Sequence, residues 1–313
     1  MGIAQYIKDI GRGKEGARSL NAAQAEDLLS QVLDRQVSDL EIGAFCVAMR
    51  IKGETTEELA GFLKATLARC LVLQPPSPAV ILPSYNGARK LPNFTPLLAI
   101  LLARQGVPVL VHGPRRDPTR VNSAEIFEAM GWGLADSANA VQAAWAQGQP
   151  AFMPTEVLCP PLASLLAVRQ AIGLRNPGHT VAKLLDPTPG QTGLRVVNYT
   201  HPEYGGAHAA FLVHTEANAL LMRGTEGEPV ADPRRHPRFE VYLHGQHRPE
   251  FSQAAQEGPL TQVPELPRAF DATTTATMMR AYLEGQATVP GPVVQQVQRL
   301  VAAVKALGPG ATV

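Results

Sequence analysis

Apolar residues between positions 1 and 72 recur at the three- and four-residue spacing of an α-helix. The clearest case is the segment 21–33, where one helix face carries Ala25, Leu28, Leu29 and Val32. Ser19 precedes this segment and is its predicted N-cap, because a serine hydroxyl accepts a hydrogen bond from the first helical turn. The pattern therefore predicts an amphipathic helix that buries one face.

Two further helices are predicted in the same N-terminal region. One follows Ser38, which is a suitable N-cap, and ends at Gly53, since glycine commonly terminates a helix. The other opens with Thr56 and the two glutamates after it and continues through Leu71. A cluster of short apolar helices buries a face against something else, and a dimer partner is one candidate.

The pattern changes after the proline-rich segment 73–78, which is a predicted linker. Residues 80–82 and 107–111 are short apolar runs rich in β-branched residues, and a helical stretch at 95–105 separates them. This strand–helix–strand order favours a parallel sheet. Further strands are predicted at 195–198, 219–222 and 239–243. Further helices are predicted at 123–130, 138–147, 164–172, 205–215, 274–283 and 292–307.

The composition is that of an ordinary globular protein, with 45% hydrophobic and 18% charged residues. The net charge of +1 neither requires nor excludes a polyanionic partner. Cys46, Cys70 and Cys159 form no CxxC pair, so we expect buried thiols and neither a zinc site nor a disulfide framework. Because the N-terminus lacks a signal-peptide core and no long apolar run is present, we expect a reduced, cytoplasmic protein.

Several stretches of the chain resemble the anthranilate phosphoribosyltransferases of the glycosyltransferase family 3 superfamily. They are the helical segment 18–67, the HGPRR and SAEIFEAMG segments at 112–116 and 123–131, and the proline-rich entry and helix at 159–178. The resemblance implies an α/β fold of the nucleoside-phosphorylase and anthranilate-phosphoribosyltransferase type, with a central, mainly parallel sheet. It also implies a helical dimerisation domain at 1–73, joined by helices from 160–186, and an α/β domain at 74–313.

The segment that corresponds to the family's donor-binding loop has lost most of its glycines. The enzymes hold the donor diphosphate on a GTGGD loop, where glycines let backbone N–H groups approach the ligand and a helix N-terminus adds positive potential. Here Tyr85 and Asn86 stand where two glycines belong, and Gly87 replaces the aspartate. Asn93 and Thr95 remain as polar groups at the following helix start.

Two other family motifs are also altered. In the KHGNR motif, Val111 replaces the lysine and Pro114 replaces the asparagine. The paired Asp-Glu that helps hold magnesium is missing, with Pro229 and Val230 at the corresponding position. Three acidic residues lie nearby, namely Glu226, Glu228 and Asp232. The three motifs that contact the phosphoribosyl donor in the enzymes are thus all altered here, which indicates a different ligand. We therefore predict no catalytic residue and no metal site.

The segments LPSYNGARK, NFTPLLAILL and RGTEGEPVADP resemble the corresponding segments of divergent TrpD-like proteins of the YbiB type. This resemblance implies a homodimer that binds single- or double-stranded nucleic acid with little sequence preference. It implies no anthranilate phosphoribosyl transfer and no cofactor.

Basic and polar side chains cluster at positions that the fold implied by the resemblance should place around one cleft, and those that follow a predicted strand lie where ligands of open α/β sheets collect. Arginine and lysine donate hydrogen bonds to phosphate oxygens, and such binding weakens steeply with salt. The predicted phosphate-binding residues are Arg89, Lys90, Asn93, Thr95, His112, Arg115, Arg116, Arg120, Arg169, Arg175, Lys183, Arg234 and Arg235.

Two alternative functions remain open from the sequence. A transferase with another acceptor would bind magnesium through Glu226, Glu228 or Asp232 and the diphosphate through Arg89 and Lys90. A sensor would bind an anionic metabolite in the same cleft without turnover. His244 and His247 have an HxxH spacing, but they lack further ligands and do not predict a metal site.

Overall fold

The computed structural model describes residues 2–13, 15–256, 258 and 260–308. The chain divides into two compact units. A helical unit comprises Met1–Leu71 and Thr155–Leu185, and an α/β unit comprises Val72–Pro154 and Asp186–Val313. The sequence-based boundary at residue 73 lies close to the end of the first helical segment.

The helical unit contains three well-capped helices in its N-terminal segment. Their N-caps are Asn21, Ser38 and Thr55, and each cap forms a reciprocal pair of hydrogen bonds with the third helical residue. The helices of this unit are α1 (Ala4–Ile10), α2 (Ala22–Leu33), α3 (Asp39–Lys52), α4 (Thr56–Leu67), and, after the α/β segment, α8 (Thr155–Leu158), α9 (Pro160–Ile172) and α10 (Gly178–Val181).

Two sequence predictions at these helix ends are wrong. Asn21 caps α2 in place of Ser19, because the Asn21 side chain accepts from the backbone N–H of Gln24 at 2.9 Å. Helix α4 ends at Leu67 and does not reach Leu71. The backbone N–H of Leu71 instead donates to the carbonyl of Leu158 at 2.8 Å, which holds the chain beside the start of α9.

The α/β unit is built on a seven-stranded sheet in the order β3-β2-β1-β4-β5-β6-β7. The strands are β1 (Val80–Pro83), β2 (Val109–Gly113), β3 (Ala151–Pro154), β4 (Leu194–Tyr199), β5 (Ala219–Arg223), β6 (Phe239–Leu243) and β7 (Gln246–His247). Strands β1 to β5 pair in parallel, and β6 and β7 add antiparallel partners at one edge. The mainly parallel sheet predicted from the sequence is therefore confirmed.

Helices cover the sheet, and strands β1 to β6 are almost wholly buried, whereas β7 at the edge is exposed. They are α5 (Thr95–Arg104), α6 (Ser123–Ala129), α7 (Ala138–Ala146), α11 (Glu203–His214), α12 (Ala272–Leu283) and α13 (Gly291–Leu307). Every residue of β1, β2 and β3 is buried, as expected of parallel strands with both faces covered. Among the described residues, no helix is both long and apolar enough to cross a membrane.

Candidate functional site

Three loops of the α/β unit follow the carboxyl ends of parallel strands. Residues 84–94 follow β1, residues 114–122 follow β2, and residues 224–235 follow β5. We refer to these three segments as the loop cluster. Carboxyl ends of strands share one edge of a parallel sheet, so the chain topology places the loop cluster where ligands of α/β proteins bind.

Backbone and side-chain hydrogen bonds join the three loops to one another. Ala88 and Val121 exchange backbone hydrogen bonds of 2.7 and 3.1 Å, as in a short antiparallel bridge. The Arg120 guanidinium donates to the carbonyl of Asn86 at 3.0 Å. The Asn86 amide in turn donates to the carbonyl of Glu226 at 2.9 Å. These hydrogen bonds therefore hold the three loops together.

Glu228 is the centre of the loop cluster. Its Oε1 accepts the backbone N–H groups of Asn86 at 2.7 Å and Gly87 at 2.8 Å. Its Oε2 accepts hydrogen bonds from three side chains, those of Ser84, Asn93 and Thr95. The residue is only 1% exposed. A buried carboxylate needs hydrogen-bond donors, and the loop after β1 and the start of α5 provide them.

Glu226 accepts hydrogen bonds from a second set of backbone N–H groups in the loop after β1. Its Oε2 accepts the N–H groups of Arg89, Lys90 and Leu91 at 2.9, 3.0 and 3.3 Å. Successive backbone N–H groups that converge on one point form an anion-binding concavity. In this chain the anions that occupy it are the carboxylates of Glu226 and Glu228.

Gly227 allows the two glutamates to reach the loop after β1 together. Its φ is +86°, and a Cβ at this position would lie 1.6 Å from the Asn86 amide nitrogen. Glu226 itself adopts a positive φ of 53°, which a residue other than glycine rarely does. The sequence Glu-Gly-Glu therefore specifies a tight turn that directs both carboxylates at the same loop.

Tyr85 covers His112 at the end of β2. The Tyr85 hydroxyl and His112 Nδ1 are 2.9 Å apart, and the two rings meet edge to face with centroids 5.4 Å apart. His112 is fully buried, and this burial lowers its pKa to about 3. The imidazole is therefore neutral at physiological pH and adds no positive charge to the loop cluster.

The side chains of several predicted basic residues are exposed around the loop cluster. Arg89, Lys90 and Arg115 are exposed and, within the described part of the chain, have no carboxylate at ion-pair distance. Arg116 is also exposed but pairs with Glu125 at 3.3 Å and Glu128 at 3.2 Å. Exposed cations without a carboxylate partner are the groups most available to a phosphate.

Asp232 organises the remaining arginines of the loop cluster. Its carboxylate pairs with Arg234 at 2.9 Å and with Arg235 at 3.6 Å. The hydrogen bonds that Arg234 donates to Asp232 raise the Arg234 pKa, and Glu226 adds to that effect through its charge. Burial works against ionisation of Asp232, but its hydrogen bonds and the charges of the two arginines lower its pKa overall.

The other three predicted basic residues belong to the helical unit. The charges of Arg175, Arg169 and Lys183 each help lower the pKa of the half-buried His179 imidazole. Burial is the larger cause, and together these effects bring the His179 pKa to about 4. The helical unit therefore has a basic cluster of its own.

Three predicted phosphate-binding residues have buried side chains. Asn93 is 3% exposed, and Thr95 and His112 are fully buried. Their polar atoms contact neighbours inside the protein, with Asn93 and Thr95 bound to Glu228 and His112 bound to Tyr85. In this structure they support the loops, and the surface open to a ligand consists of the exposed cations.

Sequence reasoning noticed both glutamates but did not predict their role. The sequence indicates Glu226 and Glu228 as candidate metal ligands, whereas in the structure their oxygens accept hydrogen bonds from N–H and O–H donors. The signal that points to this role is the Glu-Gly-Glu spacing, because a glycine turn presents two acceptors to one loop. Within the described residues, no group of three or more histidine, cysteine, aspartate or glutamate side chains could hold a metal ion.

Comparison with protein families identifies both parts of the chain. The model described as "Glycosyl transferase family, helical bundle domain" matches residues 4–70. The model described as "Glycosyl transferase family, a/b domain" matches residues 87–304. Together the two matches extend over most of the chain.

The relatives include one that is similar over nearly its whole length. The uncharacterized protein YbiB of Escherichia coli K12 is 42% identical over 293 residues, which cover 93% of this chain and 90% of YbiB. The anthranilate phosphoribosyltransferase of Methanopyrus kandleri is 28% identical over 220 residues, which cover 70% of this chain and 61% of that enzyme.

Solved structures of anthranilate phosphoribosyltransferases have the same fold. The enzyme from Thermus thermophilus matches with a TM-score of 0.70 at 20% identity, covering 97% of this chain and 95% of that one. The Saccharomyces cerevisiae enzyme in complex with PRPP and Mg also matches with a TM-score of 0.70, at 15% identity, covering 99% and 89% of the two chains. At these identities the likeness shows the fold alone.

Proposed function

The chain belongs to the glycosyl transferase family defined by these helical bundle and a/b domains, and we propose that it binds nucleic acid without catalysing phosphoribosyl transfer. The ligand is single- or double-stranded and is bound with little sequence preference. Contacts are made to phosphates by exposed cations of the loop cluster, above all Arg89, Lys90 and Arg115.

The observation that carries this proposal is that two carboxylates occupy the anion-binding concavity of backbone N–H groups, while the cations around it are exposed. Glu226 and Glu228 occupy the backbone N–H groups of residues 86, 87 and 89–91, so a diphosphate would have to displace both carboxylates. The side chains of Arg89, Lys90 and Arg115, which lie outside this concavity, are exposed. Such a surface suits an extended polyanion whose phosphates lie along it, because each neutralised phosphate releases counterions.

Phosphoribosyl transfer is the second candidate function, and the similarity to anthranilate phosphoribosyltransferases favours it. It would require a bound donor and a magnesium ion in the loop cluster. Glu226 and Glu228 would have to give up their hydrogen bonds to bind that ion, and Asp232 is already paired with Arg234 and Arg235. This reorganisation is why we favour nucleic-acid binding.

The proposed assembly is a homodimer formed through the helical unit. One face of α3 carries exposed apolar residues at helical spacing, with Leu40, Val47 and Ile51 at 84%, 38% and 66% exposure. Exposed apolar side chains arranged along one helix face favour association with another protein surface. A second copy of the chain offers the same surface and forms a symmetric contact.

Fluorescence anisotropy of a labelled single-stranded DNA of roughly 30 nucleotides tests the proposed function. We expect submicromolar binding at low salt that weakens steeply as salt is added. The double variant Arg89→Ala with Arg115→Ala should bind about tenfold more weakly or worse, a loss on the order of 1.4 kcal/mol. The backbone N–H of residue 89 remains in this variant, so its bond to Glu226 is kept.

A matched control removes the same charge from the opposite edge of the sheet. Arg104 is the last residue of α5 before the chain enters β2, and Arg280 donates to the carbonyl of Ala129. Arg104→Gln with Arg280→Gln should leave the affinity within about twofold, since these cations lie away from the loop cluster. Equal losses in both double variants, or no binding at low salt, would refute the proposal.

A further inference from the structure

Two of the three cysteines come together in the helical unit, although 88 residues separate them in the sequence. Cys70 lies just after α4 and is half-buried, and Cys159 is the fully buried N-cap residue of α9. The third cysteine, Cys46, is buried within α3. The sequence-based expectation of buried thiols is therefore correct for Cys46 and Cys159, and Cys70 is the more accessible one.

Backbone contacts hold the Cys70 and Cys159 segments side by side. The N–H of Leu71 donates to the carbonyl of Leu158 at 2.8 Å, and these residues are the immediate neighbours of the two cysteines. The Sγ atoms of Cys70 and Cys159 lie 3.4 and 3.8 Å from the same Thr66 carbonyl oxygen. The two thiols therefore lie close enough for each to shift the pKa of the other.

The surroundings of Cys159 favour its thiolate. The neighbouring Cys70 thiol is the largest cause that lowers the Cys159 pKa, and the backbone N–H of Leu162 and the charge of Arg69 lower it further against the opposing effect of burial. A cysteine at a helix N-terminus beside an arginine is a recognised setting for a reactive thiolate. The neighbouring Cys159 and burial both raise the pKa of Cys70, which keeps its proton.

We propose that Cys70 and Cys159 form a redox-active dithiol that hydrogen peroxide oxidises to an intramolecular disulfide. The proposal stands on the geometry of the pair and is independent of nucleic-acid binding. Cys70 is the more accessible thiol of the pair, and Cys159 provides the nucleophile.

The oxidation proceeds in two balanced steps. The Cys159 thiolate attacks one peroxide oxygen, the O–O bond breaks, and a sulfenic acid forms while the departing hydroxide takes a proton to become water. The Cys70 sulfur then attacks the sulfenic sulfur, the S–O bond breaks, and a second water leaves with the Cys70 proton. The two thiols lose two electrons, and the peroxide oxygens gain them.

The disulfide would join two positions that lie close in sequence to the points where the chain leaves the helical unit and returns to it. Cys70 lies one residue before Leu71, the last residue of the first helical segment, and Cys159 lies shortly after Thr155, where the chain returns to the helical unit. A bond between them closes a long loop that contains the first segment of the α/β unit. Such a cross-link restricts the unfolded chain and should raise the melting temperature of the oxidised protein.

Thiol counting and peptide mass mapping test this proposal on the full chain. After treatment with a small excess of hydrogen peroxide, we expect the free thiols to fall from three to one per chain. The intact mass should drop by two hydrogen atoms, and digestion should yield a peptide pair joined through residues 70 and 159. Dithiothreitol should restore all three thiols.

Two cysteine variants provide the controls. Cys70→Ser should keep both remaining thiols under the same treatment or show oxygen addition at Cys159, with no disulfide. Cys46→Ala should still lose two thiols, since burial raises the Cys46 pKa to about 12 and makes this thiol unreactive. If Cys70→Ser does not fold, Cys159→Ala serves in its place. A wild-type protein that keeps its three thiols, or a disulfide that involves Cys46, would overturn the proposal.

Discussion

Glu228 shows how one side chain can change what a loop at the end of a strand is able to bind. Its two oxygens satisfy backbone N–H groups of Asn86 and Gly87 and the polar side chains around them. These donors lie more than 130 residues away in sequence. No local pattern in the chain links the two segments, so the sequence indicated a polar glutamate but not its partners.

Substitution of this glutamate by glutamine should be costly. Both oxygens of Glu228 accept hydrogen bonds, so in Glu228→Gln one set of donors faces an amide N–H₂ group that cannot accept. We expect a loss of about 2–4 kcal/mol in the free energy of unfolding, measured by urea denaturation.

The matched substitution is Glu226→Gln. Among the described residues, the loop donates to Oε2 of Glu226 alone, so a glutamine carbonyl can replace it, and the side chain is half-buried. The expected loss is below about 1 kcal/mol. Equal effects of the two substitutions would show that Glu228 does not hold the loop as described.

His112 should make the protein less stable in acid. Burial lowers its pKa to about 3 in the folded chain, whereas an unfolded histidine has its ordinary value of 6.5. Between these two values the unfolded state binds a proton that the folded state does not, so the free energy of unfolding falls as the pH falls through this window. The slope is at most about 1.4 kcal/mol per pH unit for one group.

The variant His112→Gln isolates this contribution. It keeps a polar group beside Tyr85 but cannot take up a proton, so its stability should decline less between about pH 6 and pH 4. Urea denaturation of both proteins across this range provides the measurement. Parallel curves for the two proteins would contradict the assignment of this acid sensitivity to His112.

At the scale of elements, periodicity located most helices and strands but not their termini or pairing. The strand at 239–243 was predicted with the correct bounds, yet it pairs antiparallel, which the local pattern does not encode. Strand β3 was missed because Ala151–Pro154 is short and contains no β-branched residue. Helix α4 ends early because a tertiary hydrogen bond at Leu71 replaces the helical one.

Helix α3 is the element on which the proposed dimer depends. We expect Leu40→Arg with Ile51→Arg to convert a dimer into a monomer, because both side chains are exposed on α3 and a charge there would be costly to bury. Sedimentation velocity would give the mass. Val213→Arg removes an apolar side chain of 55% exposure from α11 and should leave the dimer intact.

At the scale of the whole molecule, the fold was predictable because a family pattern extends through most of the chain. The candidate site was predictable only in part. Exposed cations such as Arg89 and Arg115 lie in loops after strands, as their sequence positions indicated. Asn93, Thr95 and His112 occupy similar positions, but their burial depends on Glu228 and Tyr85, which come from other segments.

The two ligand classes should affect the thermal stability of the whole protein differently. Phosphoribosyl diphosphate with magnesium should leave the melting temperature unchanged, because Glu226 and Glu228 occupy the loop donors. An oligodeoxynucleotide should raise it, since a ligand that binds only the folded state stabilises that state. A dose-dependent rise with the donor would favour phosphoribosyl transfer instead.

The salt dependence of oligonucleotide binding tests the proposed phosphate contacts most directly. Affinities of the wild type and of the variant Arg89→Ala with Arg115→Ala would be measured by anisotropy over a range of salt concentrations. If both arginines neutralise phosphates of single-stranded DNA, the slope of log affinity against log salt should become shallower by about 1.4 in the variant. An unchanged slope would mean that these arginines do not contact the phosphates, and the loop cluster would not be the binding surface.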